Sequence, residues 1–322
     1  MKRGHKLIAA LVAAAVVASA CGTTGSGGST AGTATATASA TPTAVARPDV
    51  IVGSTNFYEQ ITLGELYSQI LEANGYKVTR KFNLGNREIV EPAIESGQID
   101  VDAEYLATLL AFVDKDGKVA KPSTDPKATQ IGLQKALDPK SLTVLDYAAA
   151  TDQNGFVVTQ ATASSKNLKK LSDLAPIGNT LVLGGSPECP QRPFCQLGLK
   201  NTYGITFKDF RPLDTGGPLT IAALDGKQID VGLLFTSDPS IVAKNFVLLD
   251  DDKHLQLADN IAPVVRNALL NKDDGTLARL LDSISSKLTQ AELNDMNKQV
   301  AVDKADSKAV AAAWLKKQGL IK

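Results

Sequence analysis

An ungapped internal repeat constrains this chain more than any other feature. The run "AIESGQIDVDAEY", Ala93–Tyr105, lies over "ALDGKQIDVGLLF", Ala223–Phe235, with no insertion. Each copy passes from a helical segment through a Gly-containing polar turn into an apolar run, which is a helix-to-strand transition. Any such transition favours that grammar, yet the gapless match predicts two lobes of like construction. Tyr105 and Phe235 then hold equivalent places, one per lobe.

The flanking patterns extend both copies. Ahead of the first, "VIVG" is strand-like, and Leu63, Leu66, Tyr67, Ile70 and Leu71 recur at helical spacing until "ANGY" closes the helix at Gly75. The strand "KVTRKFNL", the helix "REIVEPAIES" and the strand "QIDVDA" follow. Around the second copy the order is "TLVLGGS" strand, "LGLKNTYG" helix, "ITFKDFRP" strand, "GPLTIAALDGK" helix and "QIDVGLLF" strand. Strands alternating with helices predict an α/β fold with mainly parallel sheets.

In open parallel sheets ligands sit beyond the carboxyl ends of the strands. Tyr105 and Phe235 occupy such ends, and the turn "STNFYEQ" after the first strand joins them in lining a shared cleft. Asn56, Tyr58 and Gln60 of that turn are candidate ligand contacts, while Glu59 suits the first turn of a helix through the helix dipole. Taken singly, each aromatic could equally be wall packing.

Both ends of the chemistry narrow the function. "MKRGHK" followed by the fourteen-residue apolar run "LIAALVAAAVVASA" is an export signal over 1–20, too short to span a bilayer. It meets Cys21 in "ASAC". Residues 22–46 carry no charge and no aromatic side chain, so they form a flexible tether reaching roughly 25–30 Å. The 34 basic and 34 acidic residues balance, with no Lys/Arg block, which leaves a nucleic-acid partner without an electrostatic footprint. Cys189 and Cys195, in "PECPQRPFCQ", are predicted to be bonded in an exported protein. Two thiols and a single histidine beyond the export segment, His254, fall short of a metal shell. No H-E-x-x-H, Walker loop or G-x-G-x-x-G follows a strand, and no cofactor is implied, so an enzyme is disfavoured. Glu188 and Arg192 either bind a substrate carboxylate or pair on the surface.

"ASAC" resembles a bacterial lipobox, which implies a lipid on Cys21 and anchorage to the outer face of the cytoplasmic membrane. Beyond it, "GSTNFYEQITLGELYSQILEANGYKV", "NLGNREIVEPAIESGQIDVDAEYLAT", "DTGGPLTIAALDGKQIDVGLLFTSDP" and "DNIAPVVRN" together resemble the substrate-binding proteins of osmoprotectant ABC importers, over residues 49 to 316. The resemblance implies a type II periplasmic-binding-protein fold with two crossover segments: lobe I from 49–160 and 259–322, lobe II from 161–258, after a tether at 21–48. It implies a quaternary ammonium ligand such as glycine betaine, choline or carnitine, and a monomer working with permease subunits and a cytoplasmic ATPase. The alternatives are the same importer role with an ergothioneine-like or uncharged ligand or, less in keeping, a surface adhesin.

Residue by residue, the family's "NFTEQ" becomes "NFYEQ", retaining Gln60 and introducing Tyr58. "EYTGT" becomes "EYLAT", so Tyr105 and Thr108 carry over. The tyrosine of "NTYALAV" becomes Phe156, that of "AYSTDG" becomes Phe235, and a further cage tyrosine becomes Ile221. The implied ligand set is therefore Asn56, Tyr58, Gln60, Tyr105, Thr108, Phe156 and Phe235.

Overall fold

The computed structural model describes residues 47–322. The expected export signal, Cys21 and most of the tether lie outside the described residues.

Among the described residues, ten strands fall into two five-stranded sheets. In chain order they are β1 (Val50–Gly53), β2 (Val78–Lys81), β3 (Val101–Tyr105), β4 (Leu142–Val144), β5 (Asn154–Thr159), β6 (Val182–Gly185), β7 (Asp209–Pro212), β8 (Val231–Phe235), β9 (Phe246–Leu248) and β10 (Ile261–Arg266). The first sheet has the order β2-β1-β3-β10-β4 and the second β7-β6-β8-β5-β9. The two repeat copies end in β3 and β8, which hold the third place in their respective sheets.

Four strands of each sheet point the same way and one opposes them. The opposed strands are β10 and β5, antiparallel to both neighbours. The reason is the chain path. β10 begins opposite the end of β3, with Ile261 facing Tyr105, and β5 begins opposite the end of β8, with Asn154 facing Phe235. A chain arriving from the other lobe enters at the strand ends and must run backwards. This corrects the expected lobe boundary at residue 160. β5 pairs with β8 and β9, so the first crossover precedes Asn154; the pattern of "NGFVVT" marks a strand without saying which sheet claims it.

The crossovers touch. Asp152 N–H donates to Asp259 O at 3.1 Å, Ile261 N–H donates to Ala150 O at 3.1 Å, and Thr151 bridges Asn260. A short antiparallel ribbon thus joins the lobes and floors the space between them.

Apolar layers cover both faces of each sheet. In lobe I, Val50 and Val52 meet Leu63, Leu66 and Ile70 of α1 (Tyr58–Ala73), backed by Trp314 of the C-terminal helix Ser307–Lys317. The opposite face buries Ile94 of α2 (Arg87–Glu95) and Leu109 of α3 (Leu106–Val113). Each such side chain contributes about 1.5–3 kcal/mol. In lobe II the expected helix over "LGLKNTYG" is a single turn, Gln196–Gly198, widening into the π-type turn Leu199–Tyr203. Pro193 O lies where a side chain on Gly198 would project, so only glycine lets the disulfide loop close here.

Candidate functional site

A cleft of about 480 Å³ lies between the lobes at the strand ends. Phe57, Tyr105 and Phe235 line it. The Phe57 ring centroid is 4.9 Å from that of Phe235 and 6.4 Å from that of Tyr105, with interplanar angles of 28° and 21°. Phe57 and Tyr105 come from lobe I and Phe235 from lobe II, so the trio spans the gap. Aromatic faces carry quadrupoles that attract a cation.

Local geometry decides which residue of "NFYEQ" faces the cleft. Phe57 is the N-cap of α1, in extended conformation with φ −131° and ψ 159°. Tyr58 is the first helical residue, and the 3.6-residue period turns its side chain away. Burial, then the nearby Asp238, push its pKa up. The expected cleft role for Tyr58 therefore passes to Phe57, which the sequence reading overlooked. The only signal was position: the residue just before the helix keeps strand-like geometry.

Two further expectations move. Gln60 is buried, its Oε1 has no partner, and it lies outside the cleft lining. Phe156 is 1% exposed in the core of lobe II, where it packs among Leu183, Phe194 and Leu233. It stands two residues along β5 from the strand start, about 7 Å below the cleft, and Asn154 lines the cleft instead. Asn56, Tyr105, Thr108 and Phe235 line the cleft.

Beneath the rings the site is acidic. Asp152 and Asp259, each two residues before its crossover strand, line the floor. Asp259 accepts from Thr108 N–H at 2.8 Å through one oxygen and leaves Oδ2 without a partner; burial pushes its pKa up to about 7. Burial, then the neighbouring Glu59, hold Asp152 well above the usual carboxylate range. Glu59 lies in the first turn of α1 as expected, and it is buried. It accepts from Tyr105 Oη at 2.6 Å, Ser237 Oγ at 2.8 Å and Asn297 Nδ2 at 2.5 Å, and burial raises its pKa. Ser237 follows β8 and Glu59 belongs to α1, so this buried cluster ties the lobes together behind the rings.

Arg87 forms a fork with Glu104, at 2.8 and 2.6 Å, and reaches Thr108 Oγ1 at 3.2 Å. Burial opposes its charge, but Glu104 more than offsets this and raises its pKa. At the rim, Arg192 Nη2 of lobe II donates to Glu88 of lobe I at 2.8 Å, and Asn86 Nδ2 donates to Glu188 at 3.2 Å. Burial, then Arg87, lower the pKa of Arg192, whose Nε has no partner. Cys189 and Cys195 are bonded and buried, and they frame the loop that carries Arg192. Among the described residues no cluster of three or more His, Cys, Asp or Glu could hold a metal ion.

Two α/β lobes joined by a paired crossover ribbon, with aromatic rings from both lining a shared cleft, define a solute-binding protein of the two-lobed class. Residues 48–317 match the substrate binding domain of ABC-type glycine betaine transport systems, and the chain belongs to that family. It is 28% identical to the glycine betaine-binding protein YehZ of Escherichia coli (strain K12), over 86% of this chain and 93% of that one. It is 24% identical to the ergothioneine transport permease/ergothioneine binding protein EgtU of Helicobacter pylori (strain G27), over 86% of this chain and 49% of that longer one. The crystal structure of a glycine betaine/carnitine/choline ABC transporter superposes with a TM-score of 0.66 at 26% identity, covering 85% of this chain and all of the other.

Proposed function

We propose that this protein captures a quaternary ammonium solute, of the betaine, choline or carnitine kind, and delivers it to the permease of an ABC importer. The observation that carries this is the aromatic trio drawn from both lobes over an acidic floor. A trimethylammonium group has no N–H to donate and is held by ring faces, each contributing about 0.5–2 kcal/mol. Asp152 and Asp259 place carboxyl oxygens beneath it. A closing protein gains from a ligand only what both lobes contribute together, and here Phe235 supplies the second lobe's ring. Arg192 Nε and Thr108 Oγ1 are the donors for a ligand carboxylate.

In this reading the chain is a binding component and not an enzyme. It acts as a monomer outside the cytoplasm, tethered through a lipid on Cys21, and the permease and ATPase are other chains. No described helix is long and apolar enough to cross a membrane. Replacing Cys21 by Ala should release the protein from the membrane fraction; retention of that variant would count against the anchor.

Titration calorimetry of the purified protein with glycine betaine, choline, carnitine and ergothioneine tests the ligand class. Saturable heat with trimethylammonium compounds is the expected result. Binding confined to uncharged solutes would remove the quaternary ammonium reading.

A further inference from the structure

The cleft does not end at the aromatic trio. Along α3, Thr108, Ala111 and Phe112 continue the wall begun by Tyr105, and Lys115 follows just past the helix. Spacings of three and four residues put these positions on one helical face. With a rise of 1.5 Å per residue, Tyr105 and Phe112 lie about 10 Å apart along the axis. Across from this face stand Phe194 and Leu197, from the lobe II segment beside the disulfide.

This outer stretch is apolar and unfilled by protein. Leu197 is 39% exposed although it is a large hydrophobic side chain lining a cleft. Phe112 is only part-buried, its ring approached by the Arg192 guanidinium at 5.3 Å and the Lys115 ammonium at 5.2 Å. These cations frame the ring, while Ala111, Phe194 and Leu197 supply apolar lining beside it. A volume of about 480 Å³ belongs to clefts that enclose drug-sized molecules. A trimethylammonium head with a nearby carboxylate fills only the inner end. The rim contacts Arg192–Glu88 and Asn86–Glu188 already join the lobes, so the outer space persists with the lobes in contact.

We propose that the region between Phe112 and Phe194–Leu197 is a second subsite, and that it takes an aliphatic tail of several carbons attached to the quaternary ammonium head. The inference rests on the ligand class proposed above and narrows it: the preferred solute is an acylated or alkylated quaternary ammonium compound, longer than betaine. The head lies against Phe57, Tyr105 and Phe235, the polar middle reaches Thr108 and Arg192, and the tail follows the face of α3 outward.

The test is calorimetry on the full-length protein with carnitine and its acetyl, butyryl and octanoyl esters. Each buried methylene strengthens association by about fourfold, so affinity should climb along the series, with octanoyl carnitine at least about tenfold tighter than carnitine. Phe112→Ala and Leu197→Ala should each compress the ratio of octanoyl to unesterified affinity toward one. Because Leu197 is partly exposed, its variant folds whether or not Phe112→Ala does. Equal affinity along the series, or a tail preference surviving in Leu197→Ala and in folded Phe112→Ala, would overturn the subsite while leaving the head-group reading in place. Failure of every quaternary ammonium compound, short or long, would overturn both.

Discussion

Replacing Phe57 tests the core of the binding argument, because its ring couples Tyr105 to Phe235 across the lobes. Phe57→Ala removes one cation-facing ring, about 2 kcal/mol in a desolvated site, or roughly thirtyfold in Kd. It also removes two ring–ring contacts, of 4.9 and 6.4 Å, each contributing about 0.5–1.5 kcal/mol to the folded state. Affinity and stability should therefore both fall. Phe57→Leu separates the two effects, since leucine restores most of the apolar volume and none of the quadrupole. Its thermal midpoint should return most of the way, while choline affinity remains weakened about tenfold or more. Calorimetry with choline and with its neutral tert-butyl isostere completes the assay: the isostere should not distinguish Phe57→Leu from wild type. If Phe57→Leu binds choline as tightly as wild type, the ring does not act through its charge distribution and the reasoning fails.

Three further outcomes follow from the same geometry. Glu59→Ala strands the Tyr105 and Ser237 hydroxyls and the Asn297 amide, and should lower unfolding free energy by about 3 kcal/mol or more, measured by urea denaturation; a loss below about 1 kcal/mol would show the cluster to be dispensable. Paired Cys189→Ser and Cys195→Ser changes should lower stability by about 2 kcal/mol, the loop-closure contribution of so short a ring, and weaken carboxylate-bearing ligands more than choline by loosening Arg192; an unchanged preference would uncouple loop from site. Ligand-free stability should fall as pH rises from about 5 to 8.5. Asp259 and Glu91, with pKa raised by burial to about 7 and about 8 from ordinary values of 3.8 and 4.5, hold protons the unfolded chain has released. Their contribution is complete below the unfolded values and is lost as pH passes the folded ones, with a slope of up to about 1.4 kcal/mol per pH unit for each group. Asp252 and Asp274, held down to about 2, titrate outside that window. Asp259→Asn and Glu91→Gln should flatten the slope, and a midpoint rising with pH would contradict the burial argument.

The sequence by itself determined the alternation of strands and helices and the strand ends that border the cleft. The repeat ending at Tyr105 and Phe235 is local: a polar turn, an apolar run and a strand end are written in consecutive residues, and strand ends are where an open α/β sheet receives a ligand. Thr108 follows Tyr105 by one helical turn and shares its fate. Tertiary structure decided the rest. Whether Phe57 or Tyr58 faces the cleft depends on where α1 begins, a single residue of phase. Phe156 has the right chemistry for the cleft, but β5 pairs antiparallel with β8 and carries it into the core. Asp152 and Asp259 are 107 positions apart in the chain, and only the pairing of the two crossovers brings them to one floor, where burial from both lobes alters their acidity. Local pattern fixes what short-range geometry can express; which side of a strand or helix meets the other lobe is set by contacts between residues the chain order keeps far apart.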